Sequence, residues 1–166
     1  MIDLNMKQSP EEPLRELEDL VAQEEKFRFD SFSSADAIRL AKIMMENEAQ
    51  IGRPVAMSIF LNGCTVFQYL PEGTGKLNEL WMKKKIATVM AMRWSTMRFW
   101  AWQEKAAGLK RNPEIFPVGE IVPCGGGFPI TVKGCGVVGV IAVSALGDQM
   151  EHDFIIDSLE QFCALR

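Results

Sequence analysis

The side chains that could carry chemistry in this sequence of 166 residues are few and scattered. His152 is its single histidine. Alone it cannot form a catalytic pair with another histidine, and a metal site needs several nitrogen, sulfur or oxygen ligands around one point. It stands at an expected helix start, where a capping or surface role competes with contact to a ligand or metal. Cys124 is followed by Gly125, Gly126 and Gly127. A thiolate there could ligate or attack, but no base is fixed by spacing, so a small buried apolar role stands beside the reactive one. Pro123 precedes the cysteine, so the pair is not a Cys-Pro haem motif.

The triple glycine leads into an expected strand rather than a helix, and no Lys-Ser/Thr follows it. A phosphate loop needs N–H groups gathered at a helix N-terminus, so this block is not a nucleotide cradle. Two readings remain: a tight backbone path where no Cβ fits, or a ligand lying on bare backbone. Lys83-Lys84-Lys85 lies on a helix, where successive side chains point about 100° apart, so most of the run must be solvated. All four tryptophans, Trp81, Trp94, Trp100 and Trp102, fall within one helical stretch with Met82, Met90, Met92 and Met97. Such density serves a core, a subunit contact or a flat-ligand pocket. There is no Gly-x-Ser-x-Gly elbow and no carboxylate pair at a defined spacing, so an enzyme of unknown reaction is the weakest of the readings.

Elements that could position these residues follow from the pattern. Ser9-Pro10-Glu11-Glu12 reads as the start of a helix over about 9–26. Phe27 and Phe29 alternate with polar neighbours as a short strand. Ser34 is expected to cap a second helix that Gly52 ends. Residues 54–70 read as a hairpin turning at Asn62-Gly63, a pair that tolerates the positive φ of a type I′ turn. Residues 77–107 are expected as two helices, capped by Asn78 and by Ser95 or Thr96 and closed by Gly108. Pro113, Pro117 and Pro123 mark an irregular crossing. A second hairpin spans 128–145, its arm Val137–Val143 apolar throughout, as a strand covered on both faces would be. Asp148 and Glu151 look like a capping box for a final helix. The result is an α+β fold, an antiparallel sheet built from hairpins and flanked by helices, in a single domain over 1–166 with its core at about 27–163.

Three stretches carry a family resemblance: GRPVAMSIFLNG at 52–63, NELWMKKKIATV at 78–89, and CGGGFPITVKGCGVVGVIAVSAL at 124–146 with EHD at 151–153. The last resembles the Gly-Gly-x-Phe-Pro-Ile block of the uncharacterised branch of the haem-degrading domain family, the GlcG/HbpS-like proteins. The resemblance implies a profilin-like fold and homo-oligomers, and some relatives in the wider family bind haem. Family analogy turns Lys85 toward a cavity, where with Arg93 it could hold an acid group. The candidate ligand contacts are thus Trp81, Lys85, Arg93 and Ser95 on the helices, and Cys124, Gly125, Gly126, Gly127, Phe128 and His152 beyond them. The candidate subunit contact is Trp94, Met97 and Trp100. This chain departs from the pattern in three places. Cys124 stands where the family usually has His, Arg93-Trp94-Ser95-Thr96 stands near its Gly-His-Ser-Ser, and Ala145 replaces a usual Gly. Haem is therefore a possible ligand by resemblance but is not expected to bind tightly.

Composition narrows the partners. A net charge of −4 gives no basic field for nucleic acid or an anionic membrane. No apolar run reaches a membrane span, and the first residues lack the apolar stretch of a secretory signal. Four dispersed cysteines without a CxxC suggest reduced thiols in a cytoplasmic protein. The expectation is a homo-oligomeric small-ligand-binding module whose candidate ligands are a haem-like molecule or an acidic metabolite, with an assembly protein acting through protein contacts as the alternative.

Overall fold

The structure, a computed structural model, describes residues 16–105 and 120–166. The expected cap at Ser9, the Gly108 terminator and two of the crossing prolines, Pro113 and Pro117, lie outside that range. Among the described residues five helices and five strands follow one another: α1 (Leu17–Lys26), β1 (Arg28–Phe29), α2 (Ser34–Ile51), β2 (Ala56–Leu61), β3 (Cys64–Tyr69), α3 (Lys76–Met92), α4 (Thr96–Lys105), β4 (Gly127–Val132), β5 (Gly136–Ser144) and α5 (Asp148–Ala164). The strands form one sheet in the order β1-β4-β5-β2-β3. Both hairpins form as expected, and β5 is the middle strand, buried from Gly139 to Ser144. The sheet is not wholly antiparallel. β1 runs parallel to β4, pairing Arg28 with Thr131 and Phe29 with Val132. A strand two residues long gives little local signal of its partner, so its direction was not legible.

Alternation along the strands divides the core. Met57, Ile59, Leu61, Phe128, Ile130, Ile141 and Val143 pack against α2 and α5 through Leu40, Met44, Ile155 and Leu159. On the other face, Ala56 and Ala142 meet Met82 and Ile86 of α3. Small residues there let α3 lie close to the sheet. A third cluster joins Leu20 of α1 to Met97 and Ala101 of α4.

Local chemistry sets the ends. Asn62 and Gly63 adopt φ of 51° and 85°, and Gly52 ends α2 at φ 67°. The cap of α2 is Ser33, one residue before the expected Ser34. The Ser33 hydroxyl accepts from the Asp36 N–H at 3.2 Å, and Asp36 Oδ2 accepts from the Ser33 N–H at 2.7 Å. Asp36 at the third position completes this box, which is why the start moves back by one. Asn78 likewise serves the third position of α3, accepting from the Gly75 N–H at 3.0 Å. Ser95 caps α4, its hydroxyl accepting from the Arg98 N–H at 3.1 Å. The expected Asp148–Glu151 box does not form. Gly147, at φ 93°, takes the cap position, and both carboxylates turn to other strands and loops.

Candidate functional site

The candidate residues of α3, β4 and α5 do converge, at the end of the sheet where β4 begins and β5 finishes. Lys85 turns inward as the resemblance implied and is 3 % exposed. What it meets is a carboxylate of its own chain. Its Nζ donates to Glu151 Oε2 at 2.5 Å and to the Val143 carbonyl at 2.7 Å. The other oxygen, Glu151 Oε1, accepts from the Ala145 and Leu146 N–H groups at 2.8 and 3.2 Å. Burying two charges is costly unless their remaining valences are met, and here backbone groups meet them. Arg93 is not beside Lys85. It ends α3 at φ 62°, is exposed, and donates to the Val137 carbonyl at 3.0 Å. The Lys85–Arg93 anion clamp is therefore not assembled.

The glycines fit under this pair. A Cβ on Gly126 would come within 2.6 Å of Glu151 Oε2 and 2.9 Å of Lys85 Nζ, and its φ of 84° disfavours any side chain. One on Gly125 would lie 1.7 Å from the Asp148 carbonyl oxygen, and one on Gly127 would lie 2.7 Å from Thr96 Cγ2. The Gly125 N–H donates to Asp148 Oδ1 at 3.0 Å, and the Gly127 N–H to Thr96 Oγ1 at 3.0 Å. The bare backbone is covered by the chain itself. Close packing over these glycines is what the tight-path reading expects.

Ala145 shares this site and sits at φ 123°, which non-glycine residues rarely adopt. The strain is held by the contact of its N–H with Glu151. We expect Ala145→Gly to raise stability by about 1 kcal/mol, because relief of about 1–3 kcal/mol of strain exceeds the extra chain entropy of glycine. Urea unfolding followed by circular dichroism measures it, and an unchanged or lowered midpoint would contradict the strain.

Cys124 and His152 are both closed. Burial pushes the Cys124 thiol up to about 12, against the pull of Lys85 and with Asp148 and Glu151 adding to the rise. A buried, neutral thiol is a poor nucleophile. His152 is 1 % exposed, with Nε2 2.8 Å from Gln23 Oε1 of α1 and its ring 6.1 Å from that of Phe128. Phe128 in turn meets Phe27 edge-on. Ser95 is buried, its N–H donating to Glu24 Oε1 at 2.7 Å.

The aromatic cluster divides in three. Trp94 lies under the Arg98 guanidinium at 4.4 Å and meets Trp102, which stacks on Phe99. Met97 is fully buried between α1 and α4. Trp100, half-buried, packs on that same cluster and donates to Glu104 at 2.5 Å. Trp81 differs, being 40 % exposed with Lys84 Nζ 5.4 Å from its ring centroid.

Two features escaped sequence reasoning. Glu24 and Glu151 are the buried acids that organise α4 and the glycine block, and a lone Glu in a helix gives no sign of burial. A groove of about 340 Å³ lies between α2 and α5, lined by Asn47, Ile51, Leu146, Met150, Asp153 and Asp157 among others. Its size is at the lower end for small-molecule sites. The two aspartates on its wall disfavour an anionic guest. Among the described residues no group of three or more His, Cys, Asp or Glu could hold a metal ion, and no helix is long and apolar enough to cross a membrane.

The sheet order and its helices define an α+β fold. The model of the haem-degrading HbpS-like proteins matches residues 32–160, and the chain belongs to that family. It is 34 % identical over 137 residues to a UPF0303 protein of Mesorhizobium japonicum, covering 82 % of each chain. It is 32 % identical over 157 residues to one of Schizosaccharomyces pombe, covering 93 % of this chain and 88 % of the other. Among solved structures, the Ybr137w protein superposes with a TM-score of 0.83 at 21 % identity, covering 92 % of this chain and 90 % of that one. A PduOC:haem complex does so with a TM-score of 0.63 at 20 % identity, covering 78 % and 94 %.

Proposed function

We propose that this chain is a homo-oligomeric small-ligand-binding module rather than a catalyst, and that haem binds it at most weakly. The observation that carries the ligand reading is membership of a haem-related family. A haem-complexed protein of similar fold supports it. Against catalysis, Cys124 is a neutral buried thiol, and Lys85 is held by Glu151. The residues present do not fit a tightly ligated haem iron: His152 is buried against Gln23 and Phe128, and Cys124 is buried as well. Any haem contact must then form outside this packed end of the sheet.

The test is titration of the purified protein with hemin, followed at the Soret band. The expected result is a weak, gradual shift that His152→Gln leaves unchanged. A tight one-to-one complex abolished in a folded His152→Ala variant would overturn the weak-binding reading. Native mass spectrometry of protein as purified tests the broader claim, because a co-purifying small molecule would support a ligand other than haem. The second reading, an assembly protein, is favoured by the exposed apolar side chains of α3.

A further inference from the structure

The groove of about 340 Å³ between α2 and α5 has two kinds of wall. Ile51, Met150 and Phe154 are apolar, and Asn47, Asp153 and Asp157 are polar. The two aspartates stand four positions apart on α5 and so share one helix face. Asp153 accepts from Gln149 Nε2 at 3.4 Å, a long contact that leaves lone pairs of the carboxylate over. Asn47 is 8 % exposed, and its amide is oriented by a neighbour. The Ser158 hydroxyl gives its one proton to the Phe154 carbonyl at 2.7 Å, so toward Asn47 it acts as acceptor, taking the Nδ2 N–H at 3.0 Å. The carbonyl Oδ1 is therefore the end of the amide left for the groove, and no described residue donates to it. A buried acceptor without a donor is costly, and a guest carrying N–H groups would supply one.

The polar wall thus asks for donors and for positive charge. Among the described residues no group of His, Cys, Asp or Glu could hold a metal ion, so a bare divalent cation does not answer. The apolar wall asks for hydrocarbon. We propose that this groove binds a small primary alkylammonium, its charged head against Asn47 Oδ1, Asp153 and Asp157 and its stem along Ile51, Met150 and Phe154. An ammonium has three N–H donors, and the groove offers three acceptor groups. Bonds from a cation to carboxylates are the stronger, charge-assisted kind. A groove of this volume suits a short guest. The proposal rests on the ligand-binding reading above and gives it a ligand class and a place.

Hexylammonium, hexanol and hexanoate, equal in chain length and different in charge, are the probes, titrated into the full chain by calorimetry at low salt. Hexylammonium should bind with a dissociation constant of about 1 mM or below, within reach of a ligand of about seven heavy atoms. Hexanol and hexanoate should bind at least about tenfold more weakly. Asp153→Asn combined with Asp157→Asn should weaken hexylammonium about tenfold. Met150→Arg, at a position 46 % exposed, should abolish its binding, because a guanidinium of the chain itself then takes the acceptors. Far-UV circular dichroism should stay native in both; if the double variant unfolds, Met150→Arg decides. Equal binding of the three probes, or hexylammonium binding that Met150→Arg leaves unchanged, overturns the ammonium site. Absence of hexylammonium binding overturns it as well, and a small molecule co-purifying with that same protein would leave the broader ligand-binding reading standing.

Discussion

Lys85→Met is expected to cost about 3–5 kcal/mol of stability, the usual penalty for stranding one member of a buried ion pair. Methionine fills the same volume, so the loss reports charge and hydrogen bonding rather than a cavity. Glu151, 4 % exposed, would keep its two backbone donors but lose the ammonium that neutralises it. Adding Glu151→Gln should recover part of the loss, since the neutral amide still accepts from the Ala145 and Leu146 N–H groups. Urea unfolding monitored by tryptophan fluorescence gives both numbers. A Lys85→Met variant within about 1 kcal/mol of wild type would show that the pair is not the anchor of this end of the sheet.

The glycine path should be as unforgiving. Gly125→Ala is expected to cost about 3 kcal/mol or more, because its new Cβ would lie 1.7 Å from a backbone oxygen at the start of α5, which cannot swing aside as a side chain would. Gly126→Val adds a strained φ, worth about 1–3 kcal/mol, to contacts with Glu151 and the Val143 carbonyl. Gly75→Ala is the control: nothing lies within 4 Å of its Cβ and its backbone is extended, so it should stay within about 0.5 kcal/mol. Thermal melts of the three separate the possibilities. A Gly126→Val protein as stable as wild type that had lost a co-purifying molecule would restore the glycines to a binding role.

Much of the fold was legible because its signals are local. Asn62-Gly63, Gly52 and the apolar run of β5 each declare their own conformation. The parallel β1–β4 edge was not legible, because two residues cannot announce a partner about a hundred positions away. The site was half legible. Lys85 could be picked as the inward lysine, yet its partner Glu151 was read as a helix-capping acid. The two roles use the same residue at the same helix start, and only the third dimension shows that the carboxylate reaches the end of β5. Cys124 and His152 drew attention as rare reactive types, but rarity carries no information on burial, and both are enclosed. The aromatic stretch was ambiguous for a related reason: its residues alternate between interior and surface with the helical turn, so density alone could not say that Trp81, rather than Met97, is the one left facing water.

The parallel edge bears on the order of assembly. Each hairpin joins residues a few positions apart, so β2–β3 and β4–β5 close small loops at little entropic cost and can pair early. β1 must wait for β4, since Arg28 meets Thr131 across most of the chain. Closure of so long a loop raises contact order and slows folding, and a two-residue ladder repays little of it on its own. β1 is therefore expected to dock late, carried in by Phe27 and Phe29 as they find Phe128 and Phe162. On a ribosome, which releases the N-terminus first, β1 emerges long before the strand it needs, and the growing chain has to keep that aromatic stretch idle until β4 is synthesised.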